Sequence, residues 1–340
     1  MKVLFVGLQQ GRSFNEYLAL KKIYKNVDLM DPYKSLPFPN ISSKIFYHIS
    51  PKLLEPIINK YFILKIKDKS YDLIYVRSGE FIGQKLISIL KKYTKKIVIY
   101  CADNPFVARD KKRWHLLMAA LKYYDLVVFQ QFLRIKQAKK NNLKNIIFVY
   151  PSYTQKVHCP PKIGLKEKKK LQNDIIFIGT WFPSKGKFFK KLYDKGLKFK
   201  IYGPNWNKDK FFNQMKNRIT LGHVYRKLYS KLIYCSKIAI GLTTKENMDD
   251  ITDRTVEIPA IGTLLCTNKT KTHQKLLIEN KEAIFFKDAE ECFQKCQKLL
   301  KNEKLIKKIA LNGHLKITQN LKLSTNEKIK KIVSKVFREK

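Results

Sequence analysis

Short apolar runs alternate with amphipathic stretches along most of the chain, and glycine, proline or polar residues separate them. A short apolar run bounded by turn residues predicts a buried strand, and apolar positions three and four apart predict a helix. Regular alternation of the two indicates α/β units built around parallel sheets. The predicted strands are Lys2–Val6, Val27–Met30, Tyr71–Val76, Lys96–Tyr100, Leu126–Phe129, Asn145–Val149, Asp174–Ile178, Lys198–Tyr202, Ile219–Gly222, Lys237–Gly241, Thr263–Cys266 and Ala283–Phe286.

The amphipathic stretches predict helices between many of these strands and after the last one. The predicted helices are Phe14–Ile23, Leu53–Ile63, Phe81–Lys92, Phe132–Asn141, Ser184–Asp194, Val224–Tyr234, Glu290–Lys301, Leu305–Asn312 and Glu327–Phe337.

The alternation is interrupted once, by a stretch of prolines and lysines between residues 151 and 170, and then restarts. A chain of 340 residues suggests two domains of about 150 residues each. We therefore expect an N-terminal Rossmann-like domain at 1–155, a linker at 156–172 and a C-terminal Rossmann-like domain at 173–320. Residues 321–340 are expected to form a C-terminal helix that packs back on the first domain. Two such parallel-sheet domains are expected to face each other across a ligand cleft.

The stretch Asp253–Thr267, DRTVEIPAIGTLLCT, predicts a short helix, a glycine stop at Gly262 and a buried strand. We expect Asp253 or the threonine before it to cap the helix. Arg254 and Glu257 then leave one face near the helix N-terminus, where free backbone N–H groups favour an anion. A carboxylate one turn into the helix can hold sugar hydroxyls, so the arrangement suits a phosphorylated sugar or nucleotide. The alternative is a capped helix with an internal ion pair, worth about 0.3 kcal/mol.

Two features of the first half follow predicted strands, at the end where parallel sheets bind ligands. Asp103, in the loop Ala102–Phe106, could act as a general base or orient an acceptor hydroxyl, but Asp before Asn-Pro is also ordinary turn chemistry. Gly7 and Gly11 could bring the backbone close to a phosphate or an acceptor. Their spacing is not GxGxxG, which favours a plain tight turn.

The formal net charge of +43 comes from 70 basic residues, of which only nine are arginine. Specific nucleic-acid readout favours arginine, whereas scattered lysine is typical of a solvated surface. The lysine runs at 168–170 and 328–335 are therefore expected to be solvated faces. The second interpretation is attraction to an anionic membrane surface, at about 1 kcal/mol per lysine.

The six cysteines form no CxxC pair, and only Cys292 and Cys296 share a helical face. A reduced, cytosolic chain is expected, with no metal site, and His158 beside Cys159 is too isolated to suggest one. The N-terminus begins directly with a strand rather than a signal peptide, and no apolar run approaches the ~18 residues of a membrane span. Any membrane contact is therefore expected to be peripheral, at the inner face of the membrane.

Two segments of the second half carry a family resemblance. One is IIFIGTWFPSKGKFFKKLYDKGLKFKIYGPNW, and the other is DRTVEIPAIGTLLCTNKTKTHQKLLIENKEAIFF. In order and spacing they resemble the nucleotide-binding domain of glycosyltransferases of the GT-B fold, specifically the CgeB-like (spore maturation protein) group and its Arg-Thr-Phe-Glu-Ile-Pro-Ala-Cys-Gly hallmark. The first half agrees more loosely, through YDLIYVRSGEFI and the ADNPF loop. Val256 and Ile261 depart from the hallmark as apolar exchanges.

The resemblance implies that the C-terminal domain binds a nucleotide-sugar donor and that the N-terminal domain lies on the acceptor side. Glu257 would hold the ribose hydroxyls and Arg254 would face the diphosphate. Asp249 stands where broader retaining relatives have a donor-sugar carboxylate, although its side chain is shorter. The remaining implied contacts are the nucleotide-bordering residues Gly179, Thr180 and Trp181 and the base-pocket residues Tyr202, Gly203 and Trp206, with ordinary packing as the alternative for the two tryptophans.

The function implied is transfer of a sugar to a saccharide or lipid-linked acceptor, in cell-surface glycan synthesis. An inverting enzyme would need a base from the first domain, with Asp103 or Glu80 as candidates, and a retaining one could lack a dedicated base. The resemblance implies no metal and no other cofactor. The alternatives are a sugar-nucleotide epimerase of GT-B fold and a non-enzymatic protein that binds polyanions through its charge. The shortage of arginine argues against specific nucleic-acid binding.

Overall fold

The computed structural model describes residues 1–110 and 112–338. Residue 111, within the predicted first domain, and residues 339 and 340 of the predicted C-terminal helix lie outside the described residues. The chain divides into two compact units, Met1–Tyr150 with Thr325–Lys340 and Pro151–Ser324.

The first unit is built on a parallel six-stranded sheet in the order β2-β1-β3-β4-β5-β6. Its central strands are buried on both faces, which explains why they read as continuous apolar runs. The strands are β1 Lys2–Val6, β2 Asn26–Met30, β3 Tyr71–Arg77, β4 Thr94–Cys101, β5 Leu126–Phe129 and β6 Ile146–Phe148. The helices before residue 150 are α1 Gly11–Ile23, α2 Pro39–Lys44, α3 Glu55–Ile66, α4 Gln84–Leu90, α5 His115–Ala120 and α6 Phe132–Lys140.

The second unit repeats the design with a parallel sheet in the order β12-β11-β10-β7-β8-β9. The strand order reverses between β7 and β10, and such switch points are where open α/β sheets bind ligands. The strands are β7 Asn173–Ile178, β8 Lys200–Gly203, β9 Ile219–Leu221, β10 Ser236–Gly241, β11 Leu264–Asn268 and β12 Ile284–Phe286. The helices are α7 Leu165–Leu171, α8 Pro183–Asp194, α9 Phe212–Met215, α10 Arg226–Tyr234, α11 Arg254–Ile261, α12 Lys271–Leu276, α13 Ala289–Leu300 and α14 Glu303–Leu315.

The last helix, α15 Thr325–Phe337, belongs to the first unit and packs against α1. Lys328 Nζ lies 2.6 Å from Glu16 Oε1, and both side chains are buried. Arg77 Nε lies 3.2 Å from the other Glu16 oxygen. The predicted solvated face at 328–335 therefore needs correction at its first residue, because Lys328 is buried against a carboxylate.

Every predicted strand is present, with ends that shift by one or two residues. The sequence pattern missed the short helices α2, α5, α7, α9 and α12. Residues 156–172, expected to be linker, fall within the second unit and include α7. Lysine-rich α7 has no buried residue, so it carries no apolar periodicity from which to predict it.

Within the described ranges 1–110 and 112–338, no helix combines the length and apolar character needed to cross a membrane.

Candidate functional site

The start of α11 lies at the switch point of the second sheet, close to the end of β7. Arg254, the first residue of α11, donates a hydrogen bond from Nε to the carbonyl oxygen of Ile178, the last residue of β7, at 3.0 Å. Because β7 and β10 are neighbouring parallel strands, this bond anchors the helix N-terminus where their carboxyl ends meet. The sequence segment with the family resemblance is thereby placed at the expected ligand-binding edge.

Glu257 is the centre of a buried polar cluster on α11. Its side chain is 1% exposed. Arg254 Nη1 donates to Oε2, so the internal ion pair expected from their spacing is present. The Tyr229 hydroxyl on α10 also donates to Oε2, at 3.1 Å, and His158 Nε2 lies 3.5 Å from Oε1. One carboxylate is thus surrounded by donors from three separate parts of the second unit.

The Arg254 guanidinium keeps its charge although the protein covers most of it. It lies over the Tyr229 ring, 4.6 Å from the ring centre. Burial by itself would lower the pKa of Arg254, but the interactions of the guanidinium with Tyr229 and Glu257 raise the pKa overall. About a quarter of the side chain, 24%, remains exposed. A permanent, partly accessible positive charge is suited to meet a phosphate group.

His158 has a defined tautomer in this cluster. Its Nδ1 accepts a hydrogen bond from the backbone N–H of Thr154 at 3.0 Å. A neutral ring that accepts at Nδ1 carries its proton on Nε2. The Nε2–H group therefore points at Glu257 as a donor, which helps to hold the ionised carboxylate in place.

The start of α11 corrects one prediction. Asp253 occupies the N-cap position, but its backbone is helical and its side chain makes no capping hydrogen bond. The backbone N–H groups of Val256 and Glu257 donate to the Asp253 carbonyl oxygen, so these two groups do not face a ligand. The predicted stop is confirmed, because Gly262 adopts a left-handed conformation with φ of 92° and its N–H closes the helix.

The Gly-Thr loop and the Tyr-Gly-Pro corner pack on each other. A Cβ at Gly203 would collide with the Gly179 carbonyl oxygen, which explains the need for glycine there. Trp206 is 0% exposed and donates from Nε1 to the same carbonyl oxygen at 2.9 Å. Trp206 is therefore a packing residue, as in the alternative interpretation.

Trp181 and Tyr202 differ from Trp206 in being only partly buried. Trp181 donates from Nε1 to Asp209 Oδ2 at 2.6 Å, and its backbone N–H bonds to the Pro204 carbonyl oxygen. Thr180, next to it, is half-buried. Thr180 follows the end of β7, and Trp181 packs against the edge of the apolar core that contains Trp206.

Asp249 lies in the loop between β10 and α11 and is half-buried. Its Oδ1 accepts a hydrogen bond from Asn247 Nδ2 at 2.6 Å. Its neighbour Asp250 turns away, and Asp250 Oδ2 accepts from the Thr272 hydroxyl at 2.6 Å. Of the two adjacent carboxylates, Asp250 is thus committed to α12, and Asp249 remains on the loop.

A pocket of 560 Å³ opens at the same sheet edge, between the first turns of α8 and α13 and the loop after β10. Among the described residues, its walls include none of the side chains predicted from the sequence. Lys185 connects it to the Gly-Thr loop, because its Nζ lies 3.4 Å from the Thr180 carbonyl oxygen. Its charged lining residues are Lys185, Lys187, Lys191, Lys245, Glu246, Lys287 and Asp288.

Both acidic residues of this pocket already accept hydrogen bonds from the protein. Glu246 accepts from the Ser184 N–H at 2.9 Å and from the Ser184 hydroxyl at 2.8 Å. Burial would raise the pKa of Glu246, but these bonds and nearby Lys185 lower it overall. Asp288 caps α13 by accepting from the Glu291 N–H. The pocket is therefore electropositive.

The candidate residues of the first unit form an ion-pair network of their own. Glu80 is 4% exposed; its Oε1 lies 2.7 Å from Arg113 Nη2 and accepts from the Tyr33 hydroxyl at 3.0 Å. Asp103, with 39% of its side chain exposed, lies 3.9 Å from the same arginine and 3.8 Å from Arg109. Asp103 is therefore the more accessible carboxylate.

Gly11 is the first residue of α1, with φ of +58° and open space where a Cβ would be. Its conformation agrees with the turn interpretation, because an L side chain would be strained there. The exposed position also leaves room for a ligand to approach the backbone.

One group in the described part of the chain has the spacing of a metal site, namely Cys266, Cys292 and Cys296, whose sulfur atoms lie within 4.8 Å of one another. All three are fully buried in the apolar core of the second unit. Hydrogen bonds with the other two thiols, together with burial, raise the pKa of Cys266 well above 9.0. Cys266 is therefore a neutral thiol that packs among the apolar side chains of this core.

The sequence analysis did not identify His158 or Tyr229 as site residues. Tyr229 was part of a predicted helix, and His158 stood in the stretch expected to be linker. Both residues are far from Glu257 in the sequence. Their contacts with it form only when the chain folds, so no local spacing predicts them. The only local signal was that each is a polar aromatic residue with a hydrogen-bonding group.

Part of the chain is similar to a known protein family. Residues 185–325 match a protein family described as "Glycosyl transferase-like". A search of curated protein sequences found no match.

Several solved structures share the fold of the whole chain. Sucrose-phosphate synthase from Thermosynechococcus elongatus has a TM-score of 0.74 at 10% identity, over 99% of both chains. Anabaena Alr3699/HepE in complex with UDP and glucose has a TM-score of 0.69 at 12% identity, over 98% of this chain and 100% of that one. A glycosyltransferase from Rickettsia africae has a TM-score of 0.63 at 15% identity, over 98% and 97%.

These similarities confirm the predicted fold class, an α/β protein with two Rossmann-like parallel-sheet domains of the GT-B type. The family match agrees with the predicted enzyme class. The chain therefore has the GT-B fold, and its residues 185–325 are similar to the glycosyl transferase-like family.

Proposed function

We propose that this protein is a glycosyltransferase that moves a sugar from a nucleotide-sugar donor to a saccharide or lipid-linked acceptor. The observation that carries the proposal is the pair Arg254 and Glu257 at the start of α11, beside the carboxyl end of β7. A guanidinium for phosphates and a carboxylate for sugar hydroxyls stand one helical turn apart within a glycosyl transferase-like domain.

The hydrogen bonds of Glu257 suggest how it meets the ribose. Oε2 accepts from Arg254 and Tyr229, and Oε1 faces His158. We assign the ribose hydroxyls to Glu257, as the family resemblance implies, and we assign His158 as a donor to its Oε1. His158 is then a positioning residue that holds the carboxylate at the angle that the ribose requires.

The reaction breaks the bond between the anomeric carbon and the donor phosphate and forms a bond from that carbon to an acceptor oxygen. Arg254 would stabilise the negative charge that builds on the leaving diphosphate. The acceptor hydroxyl gives up its proton to a base or to the leaving phosphate. If a base acts, Asp103 suits the role better than Glu80, which is buried and paired with Arg113. We propose that donor binding needs no metal and no other cofactor.

The donor nucleotide proposed first is UDP. Anabaena HepE, whose structure was solved with UDP and glucose, shares the fold over nearly all of this chain. Asp249 remains the candidate contact to the donor sugar, and Trp181, Tyr202 and Gly203 remain candidates around the nucleotide.

On the basis of the hallmark segment Asp253–Gly262, we also propose that the protein belongs to the CgeB-like group. With it we propose a cytoplasmic enzyme in cell-surface glycan synthesis that contacts an anionic membrane peripherally. The excess of lysine supports the membrane contact, since cytoplasmic membrane surfaces are negatively charged.

Isothermal titration of the protein with UDP, GDP, ADP and CMP, and then with their sugars, tests the proposal. We expect one nucleotide to bind clearly more tightly than the others. If none binds, the assignment as a transferase is wrong.

Product analysis with the sugar nucleotide that binds separates the enzyme classes. Release of free nucleotide together with a glycosylated acceptor supports the transferase. Conversion to an isomeric sugar nucleotide without acceptor consumption would identify an epimerase instead.

A further inference from the structure

The segment 38–67 of the first unit exposes an unusual amount of apolar surface. Among its described side chains, six large apolar ones are between 44% and 76% exposed. Single exposed apolar residues need no explanation, but a concentration in one segment marks an interaction surface. The six are Phe38, Ile41, Ile49, Leu53, Ile57 and Leu64.

Helix α3 and the turn before it show that this exposure has a direction. Ile58, Phe62 and Ile66 are 0% exposed and pack into the core of the first unit. Leu53, Ile57 and Leu64 are exposed, and their spacing of four and seven residues places them together on the outer face. A surface helix normally pairs an apolar inner face with a polar outer one. Here the outer face is apolar along its centre as well.

Positive charge surrounds this apolar face. Lysines 44, 52, 60, 65 and 67 are all exposed, and Glu55 is the only acidic residue between 38 and 67. Glu55 is half-buried and points inward, since its Oε1 lies beside the Cα of Gly83. The outward surface of the segment therefore carries lysines and apolar side chains without a compensating carboxylate of its own.

We propose that residues 38–67 are a membrane-docking surface that seats this protein on an anionic lipid bilayer. The apolar side chains would enter the headgroup boundary, and the lysines beside them would contact lipid phosphates. This inference gives a location to the membrane contact proposed above, and it does not depend on the transferase activity. For a lipid-linked acceptor, docking through the acceptor-side unit would bring the enzyme to its substrate.

The charge pattern favours a bilayer over the other occupants. The core of a protein–protein interface is depleted in lysine, whereas this surface intersperses lysine with its apolar residues. A second copy packed by two-fold symmetry would oppose five lysines to five more, at a cost in repulsion. An anionic bilayer satisfies both the charge and the apolar area, at about 1 kcal/mol per lysine near the surface.

Flotation of the full chain with lipid vesicles tests the inference. The vesicles contain phosphatidylcholine alone or phosphatidylcholine mixed with phosphatidylglycerol. The docking variant replaces Ile57→Ser and Leu64→Ser together. The matched control replaces Leu165→Ser and Leu311→Ser, two leucines of the second unit that are 81% and 57% exposed. Circular dichroism melts establish that both variants are folded.

We expect the wild type and the control to float with anionic vesicles and the docking variant to lose at least tenfold in binding. Binding to anionic vesicles should weaken in high salt without vanishing, because the apolar contribution remains. Equal flotation of the docking variant and the control would overturn the assignment, and so would failure of the wild type to bind any vesicle.

Two further measurements separate this inference from its alternatives. If light scattering shows a dimer that the docking substitutions dissociate, the partner of this surface is a second copy of the chain and not a bilayer. Titration with UDP, in contrast, should give the same affinity for the wild type and the docking variant. Vesicle binding without nucleotide binding would leave the docking surface standing and remove the transferase proposal.

Discussion

His158 Nε2 lies 3.5 Å from Glu257 Oε1, and this contact joins the segment after the first unit to the helix that carries the family hallmark. Because Nδ1 accepts a hydrogen bond from the Thr154 N–H, the proton is on Nε2 and the Nε2–H group points at Glu257. This directed contact predicts that His158 positions the Glu257 carboxylate, and substitutions can distinguish that role from a purely structural one.

Glutamine and asparagine substitutions of His158 test that role. The side-chain nitrogen of His158→Gln reaches about as far as Nε2, whereas that of His158→Asn corresponds to Nδ1. We expect His158→Asn to weaken UDP affinity roughly fivefold, about 1 kcal/mol, and His158→Gln to retain most of it. The loss should appear in KM for the donor rather than in kcat. Equal affinities for the two variants would argue that the histidine only packs.

Glu257→Gln removes the charge of the buried carboxylate and keeps its shape. Arg254 then loses its ionic partner, and a ribose hydroxyl meets a weaker acceptor. Removing one partner of a buried pair costs about 3–5 kcal/mol when nothing replaces it. Since Arg254 is partly exposed, we expect a loss of about 1–2 kcal/mol in stability and a fall in UDP affinity of at least tenfold.

Calorimetric melts and isothermal titration measure the two effects of Glu257→Gln separately. The control is Glu279→Gln, which breaks a partly exposed pair with Lys269 and Lys295 outside the candidate site. A Glu257→Gln protein that binds UDP as tightly as the wild type would remove Glu257 from the role of ribose contact.

His273 makes the stability of the second unit depend on pH. Burial lowers the pKa of His273 from 6.5 to about 4, although its hydrogen bond to the Asn268 carbonyl oxygen acts in the opposite direction. The folded protein therefore keeps this ring neutral, while the unfolded chain takes up a proton below pH 6.5. Stability from this residue is full above pH 6.5 and falls as the pH drops towards 4, by about 3 kcal/mol in all.

Urea denaturation between pH 4 and pH 7 measures this dependence. We expect His273→Gln to flatten the curve in that range, and His115→Gln, an exposed histidine in the first unit, to leave it unchanged. An equally steep curve in His273→Gln would assign the acid sensitivity to other groups.

The buried pair of Lys328 and Glu16 predicts that α15 stabilises the first unit. Lys328→Met keeps much of the side-chain volume and leaves Glu16 with Arg77 as its remaining partner. We expect a loss of about 2–4 kcal/mol, somewhat below the usual cost of breaking a buried pair because Arg77 remains. Lys330→Met, which removes an exposed pair with Glu327, should cost less than about 0.5 kcal/mol. Similar melting temperatures for the two variants would contradict the assignment.

Local sequence patterns were sufficient to predict the strands of both sheets and most of the longer helices. The strand Lys2–Val6, whose last four residues are buried, is apolar at those four positions, and the φ of 92° at Gly262 favours glycine there. Such requirements act on neighbouring residues, so they can be read along the chain. The same holds for the pair Arg254 and Glu257, whose one-turn spacing and ion pair belong to a single helix.

The sequence by itself therefore determined the α/β class and the two-domain repeat, and it indicated the segment that we propose binds a nucleotide sugar. Only the tertiary structure decided which side chains surround Glu257, that Trp206 is core, and that Lys328 is buried against Glu16. Those contacts join segments far apart in the chain, and no local periodicity records them. They arise where packing of helices and sheet within one unit brings the polar groups within hydrogen-bonding distance.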